Sequence, residues 1–375
     1  MKNKILVFYS ISLFLFSAFS YYFVDQGFSY LVKIYKIFPL PANIITFIYI
    51  VFIIVFFLLY VYFLILLKQD KLKMKSITLL IGISVAVLFF SHPTLLSYDI
   101  FNYIATAKVS YFYKENPYLI MPIEFRDDNL LEFTHAANKT ALYGPFWILL
   151  TFIPYALGLG SYLLTLFSFK LFVLLFYLGT LILIWKGFKN IKALVLFGLN
   201  PLVLIETLIS GHNDIVMVFL VLLSYLLLLN GKLLLGVIFF ILSVLIKYAS
   251  IVLVPVILFL LYQRSKNRKV NIDIIFYYSF ILMMFAFLLS PLREEIYPWY
   301  AIWFLIFASL SLSKKMIYYI AFALSFSLML RYIPYMLIGN YLPPVQSLKT
   351  IITFSLPVFV FVYFLFKEKI WPKIS

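Results

Sequence analysis

Long apolar runs recur along the chain at 4–24, 43–67, 77–96, 161–185, 191–209, 214–230, 271–291, 316–337 and 350–366. Each is close to the ~20 residues that cross a hydrocarbon core as a helix. Three further apolar segments, 145–158, 233–262 and 299–312, do not fit one span each. The polar positions between the runs arbitrate, because lysine and arginine near span ends mark the cytoplasmic side. The clusters Lys68/Lys71/Lys73/Lys75, Lys186/Lys189/Lys192, Arg264/Lys266/Arg268/Lys269, Lys314/Lys315 and Lys367/Lys369/Lys373 all fall inside if the N-terminus is cytoplasmic. That arrangement makes 145–158 an outer interfacial or re-entrant helix, 233–262 a pair of short helices turning near Lys247, and 299–312 a short span. The pattern predicts an all-α, polytopic membrane bundle of about twelve crossings, with both termini cytoplasmic.

Composition agrees with this class: 65% of the 375 residues are hydrophobic and only 12% charged. The formal net charge of +16 implies no nucleic acid, since the basic residues are spent on short loops between spans. The acids, independent of the basic clusters, also segregate. Asp25, Asp99, Glu115, Glu124, Asp127, Asp128, Glu132, Asp214, Glu294 and Glu295 fall outside, and only Asp70, Asp273 and Glu368 inside. The outer face is therefore the candidate functional face. Lys2 and Lys4 before a long apolar run read as a retained signal-anchor helix. The absence of cysteine removes disulfides, thiolate nucleophiles and Cys-type metal sites from consideration. The segment 97–143 is the one sizeable extramembrane piece, and its Tyr, Phe and Ile content predicts amphipathic helices in the interface. No internal repeat or separate soluble domain is visible.

A few polar residues stand out against this background. Asp99, in Ser97-Tyr98-Asp99, sits at the outer end of an apolar helix. A carboxylate partly withdrawn from water there is a good base for a hydroxyl, but it could equally cap the helix that follows. Glu206 lies inside an apolar span, where an acid needs a polar cavity. His212-Asn213-Asp214 could bind sugar hydroxyls or steer a phosphate at a helix start; capping of helix 214–230 is the structural alternative. Lys247 interrupts a run whose arms each reach only about 21 Å, so its ammonium would meet a lipid phosphate near head-group depth, or simply snorkel. Arg293, before Glu294 and Glu295, is a further phosphate or sugar candidate. Tyr143-Gly144-Pro145 reads as a loop-to-helix junction. With only three histidines a His-based metal site is not expected, and no cofactor is indicated, although a divalent metal stays open.

Taken in order, these pieces resemble a family. Asp99, Tyr103, Asn116-Pro117-Tyr118 and Tyr143-Gly144-Pro145 look like the first outer loop of the GT-C glycosyltransferases that use polyprenyl-phosphate sugars. Asn200-Pro201-Leu202 through Glu206 to Gly211-His212-Asn213-Asp214, then Gly236 to Lys247 and Pro298-Trp299-Tyr300, are similar to the bacterial polyprenyl-phosphate-mannose mannosyltransferases of that superfamily. The resemblance divides the chain into two N-terminal spans (1–75), a GT-C-like catalytic core (76–305) and C-terminal spans (306–375). It implies transfer of a hexose, mannose above all, from a polyprenyl-phosphate donor to a glycan or lipid acceptor on the extracytoplasmic side. Asp99 would be the catalytic base. Lys247, with Arg293 or His212, would stabilise the leaving phosphate; Glu206, Asn213 and Asp214, with Tyr103 and Tyr143, would line the substrate site. The second acid that many relatives carry about seven residues after the first is absent, since Thr106, Ala107 and Lys108 stand there; this loop then has no metal pair. A transporter or flippase of lipid-linked saccharides is the alternative class, with a comparable number of spans and buried polar groups.

Overall fold

The structure, a computed structural model, describes residues 3–22, 40–93, 96–292, 295–311 and 315–370. It is helical, with no strand among the described residues. In chain order the helices are α1 (Asn3–Tyr22), α2 (Ala42–Lys68), α3 (Met74–Leu88), α4 (Asp99–Tyr111), α5 (Pro145–Leu157), α6 (Tyr162–Ile182), α7 (Ile191–Gly198) and α8 (Pro201–Leu204). Then follow α9 (Asp214–Leu229), α10 (Leu233–Ile246), α11 (Val254–Ser265), α12 (Ile272–Leu289), α13 (Ala301–Leu310), α14 (Lys315–Leu330), α15 (Ile333–Ile338) and α16 (Val345–Ile370). Among the described residues seven helices are long and apolar enough to cross a membrane on their own, and the bent pair α7–α8 makes eight. A count of about twelve requires α3, α9, α10 and α13, each shorter, to cross as well.

The interior is organised around α9 and α13. Every residue of α13 from Ala301 to Leu310 is buried, the mark of a helix that is apolar all round because protein surrounds it. Peripheral helices keep one apolar face outward, as α16 does with Ile351, Val358 and Phe359. Apolar burial alone does not select partners when the solvent is also apolar, and packing plus interhelical hydrogen bonds must do so. Tyrosine hydroxyls supply several: Tyr49 to the Met329 carbonyl (2.7 Å), Tyr60 to Leu196 (2.6 Å), Tyr177 to Gly198 (2.6 Å), and Tyr225 with Ser279 (2.8 Å).

Breaks in the helices build the functional end. The run 191–209 is not one straight span but bends by 63° between α7 and α8. Asn200 accounts for the restart: its Oδ1 accepts the Leu202 N–H and the Ser325 hydroxyl, and Pro201 takes the first helical position. After Leu204 the chain widens into a π-turn, Ile205–Ile209, and Gly211, at φ +72°, reverses it. That left-handed conformation suits glycine. Beyond α10, Lys247 is extended and the chain resumes as a 3-10 turn, Tyr248–Leu253, before α11. The arms do turn back there, since Lys247 meets Asp214 at one end of α9 while Arg264 Nε donates to the Leu228 carbonyl at the other. Helix α3 stops at Leu88, short of the expected 96; the chain then carries polar Ser91 and His92, whose N–H donates to Ser20 Oγ.

In the segment 97–143 the expected interfacial helices reduce to α4 and two 3-10 turns, Pro122–Glu124 and Asn129–Phe133. Residues Ile100–Ala107 are buried. The loop that follows is folded over α4, with the Ala136 N–H donating to Asn102 Oδ1 and His135 stacked on Tyr98 at 3.7 Å.

Candidate active site

Asp99 opens α4, but its carboxylate does not cap that helix; Ser97 Oγ receives the Asp99 N–H instead, at 3.3 Å. The carboxylate faces His212. Asp99 Oδ2 lies 3.4 Å from His212 Nδ1, and on the other edge of the ring Glu206 Oε2 lies 3.2 Å from Nε2. Both are ion-pair distances without the angles of hydrogen bonds. Glu206 Oε1 accepts the Tyr332 hydroxyl at 2.8 Å. The imidazole stacks on Trp299 at 4.0 Å, and Trp299 on Tyr297 at 4.6 Å.

These three ionisable groups differ in access. Asp99 is 25% exposed, whereas His212 and Glu206 are fully buried. Burial works against a charge on His212, but the adjoining Asp99 and Glu206 carboxylates outweigh it and push His212 up to about 9. The imidazole is thus a cation at neutral pH, held between two acids. Tyr103 is buried just beyond, with its hydroxyl accepting the Asn213 N–H at 3.3 Å. Burial, reinforced by Asp99, Tyr143 and Asp214, holds that phenol well above its usual range, so Tyr103 is a neutral group here.

A second charged unit lies alongside. Lys247 Nζ donates to both oxygens of Asp214, at 2.8 and 3.0 Å, and Trp303 Nε1 donates to the same carboxylate. The ammonium also lies 4.6 Å from the ring centre of Tyr300, which stacks on Trp303, a cation–π arrangement. Asp214 is fully buried and Lys247 one-fifth exposed. Gly144 lets the Tyr143-Gly144-Pro145 junction close on this unit. Its N–H donates to the Ile246 carbonyl, and a Cβ there would stand 2.1 Å from the Leu245 carbonyl oxygen.

Around these groups opens a cleft with about 800 Å³ of empty space, walled by Asp99, Asn102, Lys139, Tyr143, Lys247 and Trp299 among others. Of the residues singled out in the sequence, Asp99, Tyr143, Gly144, Lys247, Trp299 and Tyr300 line it. Glu206, His212, Asn213 and Asp214 are fully buried behind it, His212 against Asp99 and Asp214 against Lys247. Tyr103 is buried between Tyr143 and Trp147, at 4.7 and 5.0 Å. Arg293 lies outside the described residues. Among the described residues no group of three or more His, Asp or Glu is arranged to hold a metal ion.

The sequence reading missed Lys139, Trp303 and Tyr332. Lys139 lies in the segment read as interfacial helices, where no basic residue was singled out, yet it reaches the cleft and has no acidic partner among the described residues. Tyr332 had a signal in its neighbour, because Arg331 is a charge inside an apolar run. Arg331 donates to the Ile296 carbonyl and to Glu295, at 2.9 and 2.8 Å. It thereby ties down the segment that carries Tyr297 and Trp299.

Fold and site together define a polytopic helical membrane protein with a polar, aromatic-walled cleft where several helices break. Residues 13–263 match the model of the MptA_B family, described as alpha-(1->6)-mannopyranosyltransferase, N-terminal domain. This is more than half of the chain, which belongs to that family: it is a membrane mannosyltransferase. The matched region contains Asp99, Glu206, His212, Asp214 and Lys247, while Trp299, Trp303 and Tyr332 come from beyond it. No curated protein and no solved structure matches the chain.

Proposed function

We propose that the protein transfers mannose from a polyprenyl-phosphate donor to a hydroxyl of a glycan or lipid acceptor, on the extracytoplasmic side of the membrane, with Asp99 as general base. The observation that carries this reading is the difference in access among the acids. Asp99 is the carboxylate that both lines the cleft and is partly exposed, whereas Glu206 and Asp214 are sealed behind it. A lipid-phosphate donor suits a cleft set among helix ends, where an apolar tail can lie against exposed Tyr248 and Ile251. The family description supports an α-(1→6) linkage.

In such a transfer the acceptor oxygen attacks the anomeric carbon, its proton passes to Asp99, and the bond from that carbon to the phosphate oxygen breaks. One base is sufficient, because the phosphate leaves as an anion without needing a proton. The imidazolium of His212, itself held by Glu206 and stacked on Trp299, fixes the Asp99 carboxylate towards the cleft. Lys139 supplies the unpaired positive charge for the phosphate, and Lys247, already neutralised by Asp214, shapes the wall beside it. Support also comes from the buried polar atoms without a hydrogen bond between 207 and 213: Thr207 Oγ1, Ser210 Oγ and the Asn213 amide. Stability selects against such atoms, and functional sites retain them.

The test is transfer by purified protein in detergent from polyprenyl-phosphate mannose or, in a parallel reaction, from nucleotide-linked mannose, to a short alkyl mannoside. Product from the lipid donor alone is expected. Product from the nucleotide donor alone would overturn the donor assignment.

A further inference from the structure

A second open cleft, with about 940 Å³ of empty space, lies on the side of α4 away from Asp99. Asn102 belongs to the catalytic cleft, whereas Ile104 and Lys108 line this one. At about 100° per residue these positions fall on opposite faces of the helix. Lys108 is nine residues beyond Asp99, roughly 14 Å along the axis. The remaining walls include Tyr113 just after α4, Asp127, Asp128 and Phe133 at the second 3-10 turn, Tyr155 of α5 and Tyr162 of α6.

The charges of the two clefts are of opposite kind. In the second, Lys108 Nζ is bound to Asp128 at 2.7 Å, and Asp128 also accepts the Tyr113 hydroxyl and the Leu130 N–H. The cation is spent, and the charge left over is the carboxylate of Asp127, which has no cationic partner among the described residues. An anionic ligand finds no spare positive charge here, in contrast to the Lys139 side of the catalytic cleft. What the walls do present are carboxylate and phenol oxygens beside aromatic faces, with Phe133 against Tyr162 at 5.2 Å. That mixture fits an uncharged polyhydroxylated ring, whose hydroxyls donate to carboxylates and whose C–H face lies on aromatic carbon.

We propose that this cleft is a second saccharide site, holding uncharged sugar units of a glycan apart from the reacting end. Its assignment to the acceptor or product glycan rests on the proposed function; its preference for a neutral saccharide does not. Contacts at two separated places would raise the effective concentration of a long glycan at the transfer centre.

The test is binding of α-(1→6)-linked mannotriose to the full chain carrying Asp99→Asn, which blocks turnover, by titration in detergent. We expect saturable binding that weakens tenfold or more in Asp127→Leu and in Tyr155→Leu, with unfolding midpoints unchanged, and that Tyr155→Phe retains in part. Octyl mannotrioside in the same titration distinguishes a lipid-borne saccharide, which it would match by binding more tightly, from a free one, which it would equal. Absence of mannotriose binding, affinity indifferent to Asp127 and Tyr155 in folded protein, or binding of inorganic phosphate that depends on Asp127 would each overturn the proposal. Mannotriose binding that depends on Asp127 in a protein with no transferase activity would uphold the cleft and remove the proposed reaction. Transfer with binding indifferent to Asp127 would do the reverse.

Discussion

Lys247 grips Asp214 through both carboxylate oxygens, at 2.8 and 3.0 Å, across 33 residues of sequence. This joins the turn between α10 and α11 to the start of α9 and converts a lysine that looked free for a phosphate into half of a buried ion pair. The pairing changes what removal of either charge does. Lys247→Met leaves Asp214 charged, fully buried and without its cation, a situation that costs about 3–5 kcal/mol. A marked fall in the unfolding midpoint is expected for Lys247→Met, with recovery in the double variant Lys247→Met/Asp214→Asn. Equal midpoints for wild type and Lys247→Met would show that the pair contributes nothing to stability.

Lys139 is the complementary case. It is exposed and has no acidic partner among the described residues, so Lys139→Met should leave the unfolding midpoint unchanged. If its ammonium contacts the donor phosphate, the loss of a charge-assisted bond of about 1.5–3 kcal/mol lowers donor affinity tenfold or more. Titration of a non-transferable polyprenyl-phosphate analogue into both proteins checks this. Unchanged affinity would move the phosphate to another cation.

Much of this architecture is legible in the sequence because lipid demands long apolar helices and leaves polar residues only where something holds them. That logic located the break at Lys247, the intramembrane Glu206 and the cluster at 212–214. It could not supply partners. Hydropathy gives the depth of a residue and not its direction around the helix axis, so the contacts of Tyr332 with Glu206, 126 residues apart, and of Trp303 with Asp214, 89 apart, had no signature. The same blindness hid that His212 faces Asp99 and that Asp214 is bound to Lys247. The 63° bend at Asn200-Pro201 was hidden by unbroken apolarity on either side.

Asp99 carries the sharpest kinetic expectation. Asp99→Asn keeps the size of the side chain but cannot take a proton, and should lower kcat by ~10² to 10⁴, the range for a lost general base. Donor affinity should stay near the wild-type value, because Lys139 and the aromatic walls are untouched. Rates of transfer to an alkyl mannoside measure the first and analogue titration the second. A folded Asp99→Asn protein with near-normal turnover would leave the carboxylate without a catalytic role.

Sidedness can be read directly because the chain has no cysteine. Single cysteines at Asn138 and Lys266, both exposed, report on the loop over α4 and on the basic loop after α11. The proposed orientation places them on opposite sides, with Asn138→Cys labelled from outside intact cells by an impermeant maleimide and Lys266→Cys only after permeabilisation. Labelling of both from one side would overturn the extracytoplasmic placement of the cleft.

His212 links the site to pH. Its ring faces Asp99 and Glu206 and rests on Trp299, and Glu206 also accepts the Tyr332 hydroxyl. An unfolded histidine titrates near 6.5, whereas His212 in the folded protein is pushed up to about 9. A folded value above the unfolded one means that the native state binds the proton more tightly. The stabilisation is therefore complete below about pH 6.5 and declines as pH rises through about 9. Above that, two carboxylates remain next to a neutral ring, which both loosens the fold and releases the orientation of Asp99. The unfolding midpoint should accordingly fall across pH 6.5–9 in wild type and more gently in His212→Gln, which keeps polar contacts but cannot be protonated. The kcat of wild type should fall with the same upper limb, while the affinity for the donor analogue holds until the lysines titrate. Parallel pH profiles for wild type and His212→Gln, in both stability and kcat, would show that the charge on this imidazole neither holds the site together nor sets the base.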